Sequence, residues 1–270
     1  MKMFSAFTGR LGGRLWSSIR AAAGEQDCFL CGMAAVQPLC AGCAAACAAL
    51  PAGVCPRCAL PSADGAVCGR CLRHPPHFDA TIAAFVYGAP LNHALQAFKY
   101  RAVLGLGGFL SDALAGALRA RNGAPPDSIN GTAAFHHAPQ TDLVVPMPLF
   151  RRRLAERGFN QALELARPLA RLRHATLDAG VVRRIRDTPP QAGLPWDERE
   201  RNIRDAFICA KPAIAAGRRI AVVDDVMTTG ATLNEMARVL KAAGAAHVSN
   251  WVVARALPAG PAPPSRPQSG

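Results

Sequence analysis

Lysine is scarce in this chain: it occurs only at positions 2, 99, 211 and 241, so arginine supplies nearly all of the 31 basic residues. Two tyrosines and three tryptophans leave little material for a pocket that stacks a nucleobase. No apolar run in the 270 residues approaches the roughly 20 needed to cross a bilayer. The opening stretch also lacks the uninterrupted apolar centre of a secretory signal. These absences lead to the expectation of a cytoplasmic protein without a transmembrane segment. Half the residues are hydrophobic and 18% are charged, which excludes a disordered chain and allows a sizeable core. The net charge of +13 is carried by arginine, whose planar fork suits phosphate oxygens. A GC-rich coding sequence would produce the same excess.

Within residues 1–25, Phe4, Phe7, Leu11, Leu15 and Ile19 recur at helical spacing among Lys2, Arg10, Arg14 and Arg20. An amphipathic basic helix for a membrane surface or a partner is one reading, and a poorly ordered extension is the other. The segment from Pro258 to Gly270 is Pro-rich and is expected to be disordered.

Nine of the ten cysteines fall between positions 28 and 71, and eight form Cys-x-x-Cys pairs: Cys28/Cys31, Cys40/Cys43, Cys55/Cys58 and Cys68/Cys71. Two intervening residues let both thiolates of a pair reach one tetrahedral zinc, and two pairs complete a four-thiolate site. Taken in order, the pairs define two zinc sites in residues 26–76, separated internally by linkers long enough only for small turns. A disulfide framework fits poorly without a secretory signal, and one redox pair would not need four. Cys47 is spare and could replace Cys43. Cys209 follows Phe207-Ile208 on an expected strand and reads as an ordinary buried residue. So small a segment has almost no apolar core of its own, so metal is expected to supply its folding energy.

From about Asp79 to Leu257 the pattern becomes α/β. Strands are expected over 81–87, 142–145, 220–223 and 247–254, with helices over 91–98, 106–119, 160–173 (broken or bent near Pro168) and 231–243. Residues 122–140, rich in proline and glycine, form a loop. The alternation predicts a mainly parallel sheet that binds its ligand beyond the strands' carboxyl ends. The apolar run from Ile220 to Val223 delivers Asp224 and Asp225, then Thr228, Thr229, Gly230, Ala231 and Thr232 lead into a helix. Gly230 permits a tight turn, helix N–H groups suit a phosphate, and the threonines add hydroxyl donors. The two acids could hold vicinal hydroxyls of a ribose. A cap-and-turn role, or a response-regulator acidic pair, competes. Absence of lysine from the loop excludes a P-loop.

The Asp224–Thr232 run resembles the signature of type I phosphoribosyltransferases that binds 5-phosphoribosyl 1-diphosphate (PRPP). A wider set of residues resembles the ComF family, also labelled GntX-like. These are the cysteine pairs, Phe98-Lys99-Tyr100, Val144–Pro148, Arg157-Gly158-Phe159-Asn160-Gln161, Thr188 with Gln191, and Arg199 with Asn202. The resemblance implies a type I phosphoribosyltransferase-like sheet behind an N-terminal zinc ribbon. It implies ribose contacts from Asp224 and Asp225, and a 5-phosphate cradle from Thr228 to Thr232. Pro146 and Met147 would lie at a diphosphate loop, often with a strained peptide bond. Lys99 would reach the diphosphate, while Arg157, Asn160 and Gln161 would lie in a segment hinged at Gly158 that closes over the ligand. Arg151–Arg157 could equally be a solvated basic turn, and Arg199 and Asn202 could merely decorate a short helix. Implied cofactors are structural Zn2+ and Mg2+ bound with PRPP. Implied partners are PRPP and incoming single-stranded DNA, as in competence for transformation. The alternative is a non-catalytic nucleic-acid-binding or regulatory protein on the same fold. The acceptor and the oligomeric state are not readable.

Overall fold

The computed structural model describes residues 26–121, 140–188 and 201–258. The basic segment 1–25, the body of the 122–140 loop, Gln191, Arg199 and the tail after 258 lie outside the described residues. Two short strands, β1 (Gln26–Asp27) and β2 (Ala34–Ala35), pair antiparallel around the Cys28/Cys31 knuckle. The next pair enters a one-turn helix, α1 (Ala41–Ala45). The same plan recurs after Cys68, with α2 (Gly69–Arg73).

The alternating region follows as β3 (Ala80–Val86), α3 (Leu91–Tyr100), α4 (Leu106–Ala120), β4 (Leu143–Pro146), α5 (Arg151–Arg157), α6 (Gln161–Leu172) and β5 (Thr176–Leu177). Next come β6 (Val182–Arg184), β7 (Phe207–Cys209), α7 (Pro212–Ala215), β8 (Arg219–Met227), α8 (Ala231–Ala242) and β9 (His247–Arg255). Five strands form one wholly parallel sheet in the order β3-β9-β8-β4-β5, and β6 and β7 make a separate antiparallel pair.

Strand alternation sorts the core onto the two faces. Val144, Ala221, Val223 and Trp251 pack against α4 and α6 through Leu110, Leu114, Leu165 and Leu169. Leu143, Val145, Val222 and Val252 pack against α8 through Leu233, Met236 and Leu240. The sequence passes from β4 outward to β5, but from β8 in the opposite direction to β9, which makes the β4/β8 seam the topological switch point. There β4 ends with Pro146 paired to Val223, while β8 continues to Met227 alongside β9. Asp224–Met227 therefore overhang β4 and line an open crevice.

The cysteine segment straddles the sheet edge. Cys28 and Cys47 join the core on one face beside Phe85 and Leu91, while Cys55, Cys58 and Cys71 join the other beside Phe78 and Ala83. Between them the chain crosses the outer edge of β3, where the Leu50 N–H donates to the Ala84 carbonyl at 3.0 Å and the Val86 N–H to the Ala48 carbonyl at 2.8 Å. This covers an edge strand that would otherwise offer unpaired backbone groups. The segment's cysteines share the main core, so burial against the sheet adds to whatever folding energy metal supplies.

Three further expectations are sharpened. α6 runs through Pro168 as one helix and is not broken there. The basic stretch Arg151–Arg157 is a helix, ended by Gly158 at φ 78°. The one cis peptide among the described residues is Ala89–Pro90, so no such strained bond marks Pro146–Met147.

Candidate functional site

The crevice is built on β8, which carries both acids inside the strand rather than after it. Asp225 is nearly buried, at 4% exposure, and forms an ion pair with Lys99 from the last turn of α3. Asp224 faces Lys99, Arg157 and Arg184 electrostatically. Its Oδ1 accepts the Asp225 N–H at 2.9 Å. Burial raises the Asp224 carboxyl, and the three cations pull it back only part way, leaving it at about 6. Burial lowers Lys99 to about 8, with Asp224 opposing that shift and Arg157 adding to it.

The cations come from separate elements. Arg157 ends α5, lies 5.0 Å from the centroid of the Tyr100 ring and donates to Gln161 Oε1. Arg184 lies on β6 over the Phe207 ring and donates to Thr188 Oγ1. Arg153 donates to the Thr188 carbonyl at 2.7 Å. Asn160 caps α6, accepting the Ala162 N–H at 2.9 Å, and its amide donates to the Met147 carbonyl at 3.1 Å. It therefore fastens the Pro146-Met147 turn to α6. Gln161 is buried at the same junction. Within the expected closing segment Arg157 and Gln161 are thus joined to each other, and Asn160 joins the segment to the Met147 turn. Arg184 and Arg153 were not singled out from sequence. The nearest signal was Thr188, which both of them grip.

Beyond β8, Thr228–Gly230 turn into α8. Gly230 adopts φ 85° at the N-cap, and a Cβ added there would stand 2.6 Å from Met227 Cε. No side chain caps α8, although Thr229 Oγ1 accepts the Ala231 N–H at 3.3 Å. A helix start of this kind leaves N–H groups free for an anion. Gly230→Ala is expected to destabilise the protein by about 1–3 kcal/mol, from the left-handed backbone and the Met227 clash. Urea denaturation checks this, and a loss below about 0.5 kcal/mol would show that the turn relaxes readily.

The two cysteine groups fit zinc. Within each of Cys28/31/40/43 and Cys55/58/68/71 the sulfurs all lie within 4.8 Å of one another. The Cys31–Cys40 and Cys58–Cys68 sulfur separations are 3.7 and 3.6 Å, near the edge of a tetrahedron with Zn–S bonds of about 2.3 Å. Backbone N–H groups of Cys40 and Cys68 donate to Cys28 and Cys55 sulfurs at 3.3 Å each. Burial pushes both thiols up, but these and neighbouring N–H donors outweigh it, bringing Cys28 to about 6 and Cys55 to about 7. Cys43, not Cys47, completes the first group. Cys47 is buried, lies 3.5 Å from the Cys43 carbonyl, and has its thiol pushed up by burial. Cys209 is half-buried against the α8-side core.

The fold and site define a protein with a phosphoribosyltransferase-type domain. The family described as "Phosphoribosyl transferase domain" matches residues 155–267. The chain is 34% identical to DNA utilization protein YhgH of Escherichia coli (strain K12) over 211 residues, covering 76% of this chain and 85% of that one. It is 31% identical to Competence protein F of Haemophilus influenzae over 190 residues (70% and 78% coverage). With Competence protein ComFC of Bacillus subtilis it shares 29% over 210 residues (75% and 78%). The chain belongs to the ComF family and joins a type I phosphoribosyltransferase-like fold to an N-terminal zinc-ribbon module. No helix among the described residues is long and apolar enough to cross a membrane.

Proposed function

We propose that this protein binds PRPP with Mg2+ in the β8 crevice and acts in the cytoplasm on incoming single-stranded DNA. The observation that carries the reading is the convergence of Lys99, Arg157 and Arg184 on Asp224, beside the uncapped start of α8. Backbone N–H groups and hydroxyls from Thr228 to Thr232 hold the 5-phosphate. Asp224 and Asp225 accept hydrogen bonds from the ribose hydroxyls. Lys99 and Arg157, with the Met147 turn positioned by Asn160, face the diphosphate. When bound with the ligand, magnesium would supply charge neutralisation on the diphosphate beside Lys99 and Arg157. As an acceptor attacks the anomeric carbon, the bond to the diphosphate breaks, and the fixed cations stabilise the departing charge. Residues 26–76 then serve as the zinc module and residues 79–257 as the phosphoribosyl domain.

The DNA part rests on the relatives' names and on one surface. Tyr100 is 73% exposed and shares a cavity of about 300 Å³ with Lys99, Arg153 and Arg157, an aromatic beside three cations that outnumber the one carboxylate, Glu156. The same cavity also favours the second reading, a nucleic-acid-binding protein that does not turn PRPP over. A PRPP-dependent diphosphate-release assay across nucleobases, small amines and single-stranded DNA separates the two. Release stimulated by one acceptor supports the transferase. Tight PRPP binding without release under any acceptor supports the binding protein. If calorimetry shows no Mg–PRPP binding, both phosphoribosyl readings fail.

A further inference from the structure

Arg255, the last residue of β9, is 1% exposed, and among the described residues its hydrogen-bond partners are all backbone carbonyls, none a carboxylate. Its Nε donates to the Cys58 carbonyl at 2.8 Å, and its Nη1 donates to the carbonyls of Met227 at 3.0 Å, Ala256 at 2.7 Å, and Thr228. Arg70, between Cys68 and Cys71 on α2, donates to the Thr229 carbonyl at 3.2 Å. Two guanidinium groups from the surroundings of one cysteine cluster thus hold three successive carbonyls of the phosphate loop. In a planar trans peptide the C=O and the following N–H point in opposite directions. Drawing the Met227, Thr228 and Thr229 carbonyls toward the cysteines therefore turns the N–H groups of Thr228, Thr229 and Gly230 the other way. A buried cation also needs a counter-charge. Four thiolates around one Zn2+ carry a net charge of −2, which matches the two arginines beside them.

We infer that Arg255, assisted by Arg70, is a positioning residue that couples metal loading at Cys55, Cys58, Cys68 and Cys71 to the shape of the 228–230 loop. The consequence for ligand affinity rests on the phosphoribosyl reading above; the coupling itself does not. The test uses the zinc-loaded full chain and two readouts without ligand: backbone hydrogen exchange over 228–231, and chelator-driven zinc release. Arg255→Lys keeps the charge but loses the fork, and Arg70→Gln removes one carbonyl contact at a half-buried position. Both are expected to speed loop exchange by about 10-fold and to accelerate zinc release from the second cluster. Cys43→Ser, which disables only the first cluster, leaves loop exchange unchanged. The inference is overturned if Arg70→Gln and Arg255→Lys leave exchange and release as in the unaltered protein. It is equally overturned if Cys43→Ser loosens the loop to the same extent. Should Arg255→Lys not fold, Arg70→Gln decides alone. Unaltered protein that fails to bind Mg–PRPP, yet shows the expected exchange pattern, removes the ligand reading and upholds the coupling.

Discussion

Replacing Asp224 and Asp225 together by asparagine is expected to weaken Mg–PRPP binding by at least about 100-fold, with two zinc per chain retained. Hydrogen bonds to a charged group are worth about 1.5–3 kcal/mol each, so losing two carboxylates costs roughly 3–6 kcal/mol of affinity. Asparagine keeps the volume and one acceptor oxygen, so the change isolates charge. The single variants should differ. Asp225 carries the Lys99 ion pair and is nearly buried, so Asp225→Asn leaves a half-buried ammonium without its partner. About 1–3 kcal/mol of stability should go with it. Asp224→Asn removes a carboxyl that burial already disfavours in its charged form, so it should cost affinity with little stability. Calorimetry and urea denaturation on the three variants test this. Full PRPP affinity in the double variant would sink the assignment of the ribose site.

The same groups set a pH window. Asp224 has a folded value near 6, above that of an unfolded aspartate, so the folded protein binds the extra proton there. Stability from this group is greatest at low pH and declines as pH rises toward 6. On the proposed ribose role of Asp224, ligand binding runs the other way, since that role uses the carboxylate. Lys99 has a folded value near 8, below its usual one, so it begins to lose its charge above that pH. Affinity for Mg–PRPP should therefore plateau between about 6 and 8 and fall on both sides. A flat profile from pH 5 to 9 would show that neither group meets the ligand.

What the sequence revealed followed from local pattern. The apolar runs Val144-Val145 and Ile220–Val223 read as buried strands because parallel strands covered on both faces are apolar throughout. The Thr-rich turn announced itself through Gly230. The end of β8 was misplaced because the apolar signal stops at Val223, while pairing with β9 carries the strand to Met227. Of the β6–β7 pair only Phe207-Ile208-Cys209 reads as a strand, since three residues with two arginines, Val182–Arg184, show no usable alternation. α5 was ambiguous because none of its residues is buried, so no apolar stripe marks it. Arg255 was invisible for another reason. It looks like a polar strand end, and its contact with Cys58 spans 197 positions, so only the folded chain brings the two together.

Metal removal should show how far the cysteine clusters and the sheet are one structure. Zinc sites in isolated fingers supply about 10–16 kcal/mol of apparent binding energy, comparable with the roughly 5–15 kcal/mol stability of a whole domain. The clusters differ in what they rest on. Cys55, Cys58 and Cys71 lie in the core shared by Phe78, Met227 and α8, whereas Cys31 is exposed and Cys40 and Cys43 are only partly covered. Losing the second site leaves three thiols in that core without the metal, next to the buried guanidinium of Arg255. Losing the first disturbs a more exposed hairpin and helix turn. Cys71→Ser is therefore expected to lower the melting temperature by more than about 10 °C, and Cys43→Ser by less than half as much, with each variant holding one zinc. Thermal unfolding with metal analysis reads both quantities. Equal losses would mean that the second cluster supports the fold no more than the first, and that the contacts joining it to the 228–230 loop carry little of the fold's stability.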